Sequence, residues 1–399
     1  MLIERIRALP AAGPLLPRLG DAPGVYLVGG AVRDLLMGGE PSDFDLVVEG
    51  DAAALANQLD GVVRVHDRFG TSTVKLAGFS YDVARARRER YARPGALPEV
   101  EPATIAEDLL RRDFTVNAIA VSLTGPRPGE LNAAPCGLDD LARRQLRVSH
   151  DESFSDDPTR LLRLVRYWSR LRFAVEPHTL ELAHTAVDSG AIGTVSGARV
   201  GTELRLLARE PDPVPALERL HQLGIDGAIH PGFGLSDTSL ARRALALLPD
   251  DGRRDRLSLA LAGRTVPATE LPGLLETLAF EAEDRDAIIA AATRADFVAG
   301  ALAMAASPSQ IAAAVAGAGP ELVALAGALG PQRAARAWLT TLRHVRLDID
   351  GRALIEAGVP EGPAVGRGLR AALEDKLDGR VRGRNAELAR ALEAAGGKR

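Results

Sequence analysis

The sequence predicts an α/β domain at the N-terminus followed by an all-α remainder. Short apolar runs typical of strands alternate with helical segments up to about residue 125, which is the pattern of a mixed α/β fold. From about residue 175 onward the pattern is helical, with breaks at Pro and Gly. Aromatic residues make up only 4% of the 399 residues, which also favours a largely helical chain.

Composition and charge exclude several classes of protein. With 46% hydrophobic and 26% charged residues, the composition is that of an ordinary soluble protein. The net charge of −4 means that RNA binding would require a local basic surface. The single cysteine, Cys136, excludes an intrachain disulfide, and no Cys/His cluster suggests zinc. The start lacks the apolar core of a signal peptide, and the longest uncharged run, Phe297 to Pro320, is broken by Ser307-Pro308. We therefore expect a cytoplasmic protein without a membrane partner.

Two aspartates open a strand predicted over Asp43 to Val48. Residues two apart in a strand point to the same face, so Asp43 and Asp45 should project together while Phe44 points away. Two carboxylates on one face repel each other unless a cation lies between them. Hard divalent ions such as Mg²⁺ prefer oxygen ligands and keep part of their coordination shell for substrate phosphates. The pair therefore predicts a metal site.

A pair of glycines, Gly29-Gly30, follows the preceding predicted strand and begins a helix. Glycine lets main-chain N–H groups approach a phosphate closely, and a helix start offers its positive end. Alone, Gly-Gly is usually a turn and Asp-x-Asp a solvated loop. Together, with Arg33-Asp34 between them, they predict a nucleoside triphosphate next to a metal, as in metal-assisted phosphoryl or nucleotidyl transfer.

These letters, GGAVRD followed by DFD, resemble the class II tRNA nucleotidyltransferase family of CCA-adding enzymes and bacterial poly(A) polymerases. The resemblance implies that Gly29 and Gly30 bind triphosphate, that Arg33 also contacts the nucleotide, and that Asp43 and Asp45 hold two catalytic Mg²⁺ ions. It is dense over residues 25–205 and looser beyond. It implies a polymerase beta-like nucleotidyltransferase head (1–145), a helical neck that recognises the base (146–210), a helical body (211–300) and a helical tail that binds the acceptor–T arm of tRNA (301–399).

A second motif, Arg111 to Ala118, matches the family's RRDFTxNA. Asp113 can accept a hydrogen bond from a ribose hydroxyl, Arg112 can pair with phosphate or orient Asp113, and Asn117 can both donate and accept. The alternative is a helix start capped by Asp113 or Thr115. The position after the first motif favours ribose recognition.

Two further features between these motifs stay open. Asp82, inside an apolar strand, is either an edge residue facing water or a third acidic group near the metals, as in the wider superfamily. The five arginines between Arg85 and Arg93 are either a solvated face or contacts to triphosphate or RNA. The three prolines in Pro94 to Pro102 predict a loop at the rim of the site. In the family such a loop is associated with adding the terminal adenosine.

The helix that begins after Ser155-Asp156-Asp157-Pro158 carries Arg160, Arg163, Arg166 and Arg170 on about a third of its circumference. Read alone, this is a capped helix with a basic, solvated face. The resemblance to the family's EDxxR motif implies instead that Asp157 and Arg160 read the Watson–Crick edge of the incoming base. It also implies that Arg163 and Arg166 reach the triphosphate. The family's leading Glu is Asp156 here.

The resemblance implies template-independent addition of A or CCA to the tRNA 3′ end from ATP and CTP, with release of pyrophosphate. The sequence from about residue 86 to 120 resembles most closely the branch of the family that includes A-adding enzymes. An enzyme that adds only A would need a separate CC-adding enzyme. Two alternatives remain: a poly(A) polymerase acting on other RNAs, which shares every motif, and a non-catalytic RNA-binding protein of the same fold. The intact Asp43 and Asp45 argue against the second.

Overall fold

The computed structural model describes residues 2–20, 22, 24–66 and 70–396. They form two compact units: one contains the chain up to Glu203 together with Leu223–Ala228, and the other contains Leu204–Gln222 and the chain from Ile229 onward. The first is α/β and the second is helical, which confirms the predicted fold class. The boundaries predicted near residues 145, 210 and 300 stay predictions.

The strands of the first unit are short and rich in valine, as the apolar runs predict. In the described residues they are β1 (Val25–Val28), β2 (Phe44–Val48), β3 (Val62–His66), β4 (Thr71–Leu76), β5 (Phe79–Arg85), β6 (Arg87–Arg90), β7 (Glu99–Pro102), β8 (Ile119–Ser122), β9 (Leu131–Ala133), β10 (Gln145–Leu146) and β11 (Ala174–Val175). Seven of them form one sheet in the order β3-β4-β5-β2-β1-β8-β9, while β6 pairs with β7 and β10 with β11. Within the seven-stranded sheet only β2 and β5 run parallel.

The register between β2 and β5 positions the acidic residues. Asp45 lies directly opposite Asp82, and Phe44 opposite Tyr81. Phe44 and Tyr81 are buried, whereas Asp45 and Asp82 are exposed on the other face. The two aspartates are therefore neighbours on one face of the sheet because residues paired across two strands share a face.

Among the described residues, nine helices precede these strands, alternate with them or follow them, up to residue 188. They are α1 (Leu2–Arg7), α2 (Ala12–Leu19), α3 (Gly30–Leu36), α4 (Ala52–Gln58), α5 (Ile105–Leu110), α6 (Gly137–Arg143), α7 (Ser153–Asp156), α8 (Thr159–Leu171) and α9 (Pro177–Asp188), with 3-10 turns at Thr115–Asn117 and Ala191–Thr194. A capping box between Thr104 and Glu107 begins α5. Ile105 and Leu109 of α5 pack in one core cluster with Val28 of β1 and Val47 of β2.

The helices from residue 197 onward are α10 (Gly197–Ala208), α11 (Val214–Gln222), α12 (Ile225–Ile229), α13 (Thr238–Leu247), α14 (Arg254–Ala262), α15 (Leu271–Thr277), α16 (Ala282–Met304), α17 (Pro308–Ala314), α18 (Pro320–Ala328), α19 (Gln332–Thr340), α20 (Gly351–Glu356), α21 (Pro363–Leu377) and α22 (Arg384–Ala395), with a 3-10 turn at Leu342–His344. By length and composition α16 could cross a membrane. Its residues Ile288, Ala295, Val298 and Leu302 are buried, and it packs against α14 and α18. Phe297 and Met304 of the same helix are exposed.

Two local predictions need correction. The strand predicted from Asp43 begins at Phe44, the first residue that pairs with a neighbouring strand, where it lies opposite Tyr81 of β5. Asp43 is an exposed residue before the strand. The segment Pro94 to Pro102 is not all loop, since Glu99–Pro102 forms β7, antiparallel to β6. Pro102 is tolerated there because it ends the strand, where a missing N–H costs little.

Candidate functional site

The first unit contains a polar cleft of about 320 Å³. Nine of the residues predicted to bind nucleotide or metal line it: Gly29, Gly30, Asp45, Arg112, Asp113, Asn117, Asp157, Arg160 and Arg163. Four further lining residues were not predicted as site residues: Glu89, Tyr91, Arg111 and Tyr167. The remaining one, Arg87, is an arginine whose role the sequence left open. The fold thus brings together segments that lie up to 138 positions apart in the chain (Gly29 to Tyr167).

Gly29 brings the main chain close to charged groups of the cleft. Its φ of +70° is a conformation that favours glycine. A Cβ added there would lie 3.3 Å from Nη1 of Arg112 and 3.8 Å from Oδ2 of Asp45. The glycine turn, a cation and a carboxylate therefore meet at one point.

The carboxylates around Asp45 fit a divalent cation. Loss of hydration raises the pKa of Asp45, although its side chain opens onto the cleft. Repulsion from Asp82 and Asp43 raises this pKa further, while Arg112 and Arg163 lower it. In the described residues no three His, Cys, Asp or Glu side chains already surround one point. Mg²⁺ is usually held by one or two carboxylates together with substrate phosphates, so a metal that arrives with nucleotide suits this donor set. Asp82 also accepts a hydrogen bond from Thr73 Oγ1 (2.6 Å).

A buried aspartate fixes two of the cleft arginines. Asp108 is 0% exposed; its Oδ1 accepts hydrogen bonds from Nη2 of Arg111 (2.8 Å), and its Oδ2 accepts from Nη2 of Arg112 (2.9 Å). Burial alone would raise the pKa of Asp108, but Arg112 and Arg111 lower it overall. The two guanidinium groups are therefore held in place by one ionised carboxylate before any ligand binds.

Asp113 forms a second buried ion pair. Its Oδ2 accepts hydrogen bonds from Nε (2.8 Å) and Nη2 (2.6 Å) of Arg163, and its Oδ1 accepts from Nδ2 of Asn117 (3.1 Å). Burial alone would raise the pKa of Asp113, but Arg163 and the hydrogen bond from Asn117 lower it to about 2. Both carboxylate oxygens are thus engaged within the protein. Ribose recognition by Asp113 stays a prediction, and it would require Arg163 to release or share this carboxylate.

The low pKa of Asp113 predicts acid-sensitive stability. A carboxyl whose pKa falls from 3.8 to about 2 on folding stabilises the protein above pH 4, by about 2 kcal/mol, and loses this contribution as the pH falls from 4 to 2. The Asp113→Asn variant should therefore be less stable than wild type by about that amount at pH 7, with a smaller difference at pH 3. Urea unfolding followed by Trp168 fluorescence, in a Trp338→Phe background, measures this difference.

An exposed aspartate in the second unit, Asp250, provides the control. Asp250→Asn should change the free energy of unfolding by less than about 0.5 kcal/mol. A difference between wild type and Asp113→Asn that does not shrink on acidification would contradict the pKa assignment.

Arg33 and Arg166, both predicted to contact nucleotide, do not line the cleft. Arg33 is 1% exposed beneath the glycine turn; it bonds Asp34 and donates from Nη1 to Oδ1 of Asn117 (2.5 Å). Arg166 is 8% exposed and contacts Glu203 through Nη2 (3.4 Å). In this structure both lie behind the lining residues and support them, and direct nucleotide contact stays a prediction.

Tyr167 stands among these arginines. The guanidinium carbons of Arg33, Arg163 and Arg166 lie 5.6, 5.6 and 4.9 Å from its ring centroid, within the range of cation–π attraction. Phe114 meets the ring edge-on, with centroids 5.8 Å apart. The tyrosine therefore holds the basic side of the cleft together. Its spacing of four from Arg163 in a helix is the signal that could have identified it.

Asp157 and Arg160 lie on the cleft wall, and the basic stripe of α8 is turned inward rather than solvated. Arg160 is 5% exposed; it donates to Ser153 Oγ (2.7 Å) and to the Arg111 carbonyl (2.8 Å). Asp157 Oδ1 accepts from the Thr159 N–H (3.0 Å), so it also caps the start of α8. Only Arg170 of the stripe is exposed.

Glu89 connects the β6–β7 hairpin to the cleft. Its side chain, 6% exposed, pairs with Arg87 and Arg111 (3.0 and 2.9 Å), and its Oε2 accepts a hydrogen bond from the Tyr91 hydroxyl (2.8 Å). The sequence left the five arginines between Arg85 and Arg93 open between a solvated face and contacts to ligand, and only Arg87 among them lines the cleft. Nothing in the sequence marks Glu89, because its role depends on folding back towards Arg111.

The loop after β6 docks through Gly95. The Gly95 N–H donates to the Ser155 carbonyl (3.1 Å), and Arg199 donates both to the Gly95 carbonyl (3.3 Å) and to Asp157 Oδ1 (2.7 Å). Gly95 has a φ of +69°, and a Cβ there would lie 2.8 Å from backbone atoms of Thr194. Sequence reasoning missed Arg199, which lies 42 positions from Asp157.

Gly95→Ala is therefore expected to undock this loop. The left-handed φ and the backbone contact are both unfavourable to alanine, so amide hydrogen exchange over residues 91–98 should rise at least about tenfold. Gly78→Ala is the matched control, because Gly78 has a φ of +86° with nothing within 4 Å of the added Cβ. Equal exchange over 91–98 in wild type and Gly95→Ala would show that Gly95 does not fix the loop.

Comparison with known proteins agrees with this geometry. Residues 25–147 match the family model described as the poly A polymerase head domain. Over 221 residues the chain is 42% identical to an A-adding tRNA nucleotidyltransferase of Geobacter sulfurreducens, covering 54% of this chain and 25% of that protein. Over 359 residues it is 35% identical to a CC-adding tRNA nucleotidyltransferase of Deinococcus radiodurans, covering 88% of this chain and 84% of that protein. The chain spans between 25% and 61% of the length of the A-adding relatives it matches.

Solved structures of CCA-adding enzymes are similar to this chain over nearly its whole length. The Thermotoga maritima CCA-adding enzyme complexed with tRNA has a TM-score of 0.75 at 27% identity and covers 98% of this chain and 97% of its own. Similar CCA-adding enzyme structures include complexes with CTP and with ATP.

Proposed function

Because this chain belongs to the class II tRNA nucleotidyltransferase family, we propose that it transfers AMP, alone or after two CMP units, from nucleoside triphosphates to the 3′ hydroxyl of tRNA. Pyrophosphate is the leaving group, and no covalent enzyme intermediate is needed. The acceptor–T arm of tRNA is the binding partner, and a cytoplasmic location is part of the proposal.

The observation that carries this proposal is the meeting of Gly29, Arg112 and Asp45. The added-Cβ distances of 3.3 and 3.8 Å place the glycine turn against a cation and a carboxylate. Phosphate oxygens suit the guanidinium of Arg112, whose direction is set by Asp108. The carboxylate of Asp45 suits a metal that also binds those phosphates. A nucleoside triphosphate is the ligand class that satisfies all three.

Nucleotidyltransferases of this fold use divalent metal ions. The finer statement, that the ions are two Mg²⁺, is part of the proposal. Asp43 and Asp45 would hold them, with Asp82 next to Asp45 in the register of the sheet. Bound there, such ions lower the pKa of the attacking hydroxyl and neutralise charge on the leaving pyrophosphate. Asp82 is a ligand or a residue held by Thr73, and the variant series in the Discussion separates these roles.

Base recognition falls to Asp157 and Arg160. Asp157 offers acceptors and Arg160 offers donors, which can complement the Watson–Crick edge of cytosine or, after a small rotation, adenine. Both side chains are already hydrogen-bonded, Arg160 to the buried Ser153 and Asp157 to the half-buried Arg199. Donors and acceptors fixed before binding discriminate better than mobile ones, because no ordering entropy is lost.

The docked loop after β6 supports addition of A. It is present and hydrogen-bonded at Gly95, and in the family a loop here is associated with adding the terminal adenosine. The A-adding relatives are 39–42% identical over their matched segments. Whether CMP is also added is decided by the test.

The test uses tRNA substrates that end before CCA, after C and after CC, each with CTP, ATP or both. Full CCA on the shortest substrate would identify a complete CCA-adding enzyme. AMP added only to the CC-ended substrate would identify an A-adding enzyme that needs a CC-adding partner. An unrelated RNA is the control, since long tails on it would indicate a poly(A) polymerase. No addition to any RNA would contradict the proposal and favour a non-catalytic RNA-binding protein.

A further inference from the structure

We propose that Tyr91 is the residue on which the incoming base stacks. This inference rests on the proposed function and deepens it, since it assigns the recognition of the base face. Asp157 and Arg160 can read only the edge of a base, so the flat face needs a separate partner. Nothing in the sequence motifs supplies one.

Two aromatic residues are found among the described residues that line the cleft, Tyr91 and Tyr167. Tyr167 is already engaged, because three guanidinium groups lie within 5.6 Å of its ring centroid and Phe114 contacts its edge. A base cannot stack on it without displacing an arginine. Tyr91 is therefore the aromatic ring that can receive a base.

The ring of Tyr91 is held in position before ligand binds. Its hydroxyl donates to Glu89 Oε2 (2.8 Å), and Glu89 is fixed by ion pairs to Arg87 and Arg111. The residue follows β6 directly and precedes the Gly95 anchor by four positions. Both ends of this short segment are thus attached, and little conformational entropy is lost when a base binds.

Tyr91 also lies near the residues that read the base edge. Burial raises the pKa of the Tyr91 phenol. The charges of Glu89 and Asp157 raise this pKa further, while the charge of Arg160 lowers it. Arg160 and Asp157 line the same cleft. A base whose edge meets these two side chains therefore has Tyr91 beside it. A purine presents a larger face than a pyrimidine, so the stacking favours ATP over CTP.

The experiment measures equilibrium binding of ATP, CTP and inorganic tripolyphosphate to the full chain, with Mg²⁺ and without tRNA. Tyr91→Leu should weaken ATP binding by about ten- to a hundredfold, weaken CTP binding less, and leave tripolyphosphate binding within about twofold, because tripolyphosphate has no base. Tyr91→Phe, which keeps the ring, should bind ATP within about threefold of wild type. Tyr26→Phe, in strand β1, is the matched control.

A second measurement needs no variant. The fluorescent triphosphate of 2-aminopurine riboside should be quenched when it binds wild type, because the base is stacked. An unquenched bound probe would overturn the inference, as would unchanged ATP affinity in Tyr91→Leu or an equal loss of ATP and tripolyphosphate affinity. Wild type that neither binds ATP nor extends tRNA would instead contradict the proposed function itself.

Discussion

Asp45→Asn is expected to reduce AMP transfer by about three orders of magnitude or more, because the amide cannot replace a carboxylate as a metal ligand and several kcal/mol of charge stabilisation are lost. The fold should be retained. Asp45 is repelled by Asp82 and Asp43 and is poorly hydrated, so a neutral side chain relieves an unfavourable interaction. The urea midpoint of the variant should equal or exceed that of wild type.

A series of conservative variants tests this assignment. Asp43→Asn should lose activity comparably if both residues hold metal. Asp82→Asn should lose activity if Asp82 is a metal ligand. It should keep activity if Asp82 does no more than accept the hydrogen bond from Thr73. Asp139→Asn, an exposed residue of α6, is the control. Primer-extension rates within about tenfold of wild type for Asp45→Asn would rule out the metal assignment.

Arg160→Lys is expected to blur the choice of base. Lysine keeps the charge but lacks the fixed fork of donors by which Arg160 bonds Ser153 and the Arg111 carbonyl and can still present an N–H to a base. A bidentate contact to a base is worth about 1–3 kcal/mol. The ratio of kcat/KM for the preferred nucleotide to that for GTP or UTP should therefore fall about ten- to a hundredfold.

Arg170→Lys is the matched control, since Arg170 lies on the same helix and is exposed; its selectivity should equal that of wild type. Selectivity that survives in Arg160→Lys would mean that Arg160 only anchors α8 to the Arg111 carbonyl and that Asp157 only caps α8. The ATP affinity of each variant should be measured as well, because a structural defect would weaken all four nucleotides equally.

Local patterns in the chain were enough to predict strands β1 and β2, apart from the first residue of β2, and the glycine turn between them. The alternation around Phe44 and Asp45 follows from the period of a strand, and the fold class follows from the change to helical periodicity. Side-chain spacing within one segment did not predict the exact start of β2, which is Phe44, the first residue paired with the neighbouring strand β5. It failed again at Pro94 to Pro102, where pairing with β6 overrides the low strand propensity of proline.

The sequence by itself determined the fold class and most residues of the site, because each motif is a short segment whose chemistry is local. Only the tertiary structure decided which arginines line the cleft and which lie behind the lining residues and support them. Arg33 and Arg166 have the same chemistry as Arg112 and Arg163, yet the first two are enclosed behind the cleft and the second two line it. Glu89 and Arg199 gain their contacts in the cleft wall from partners 22 and 104 positions away. Contacts of this kind depend on how elements pack, and no periodicity within one segment encodes them.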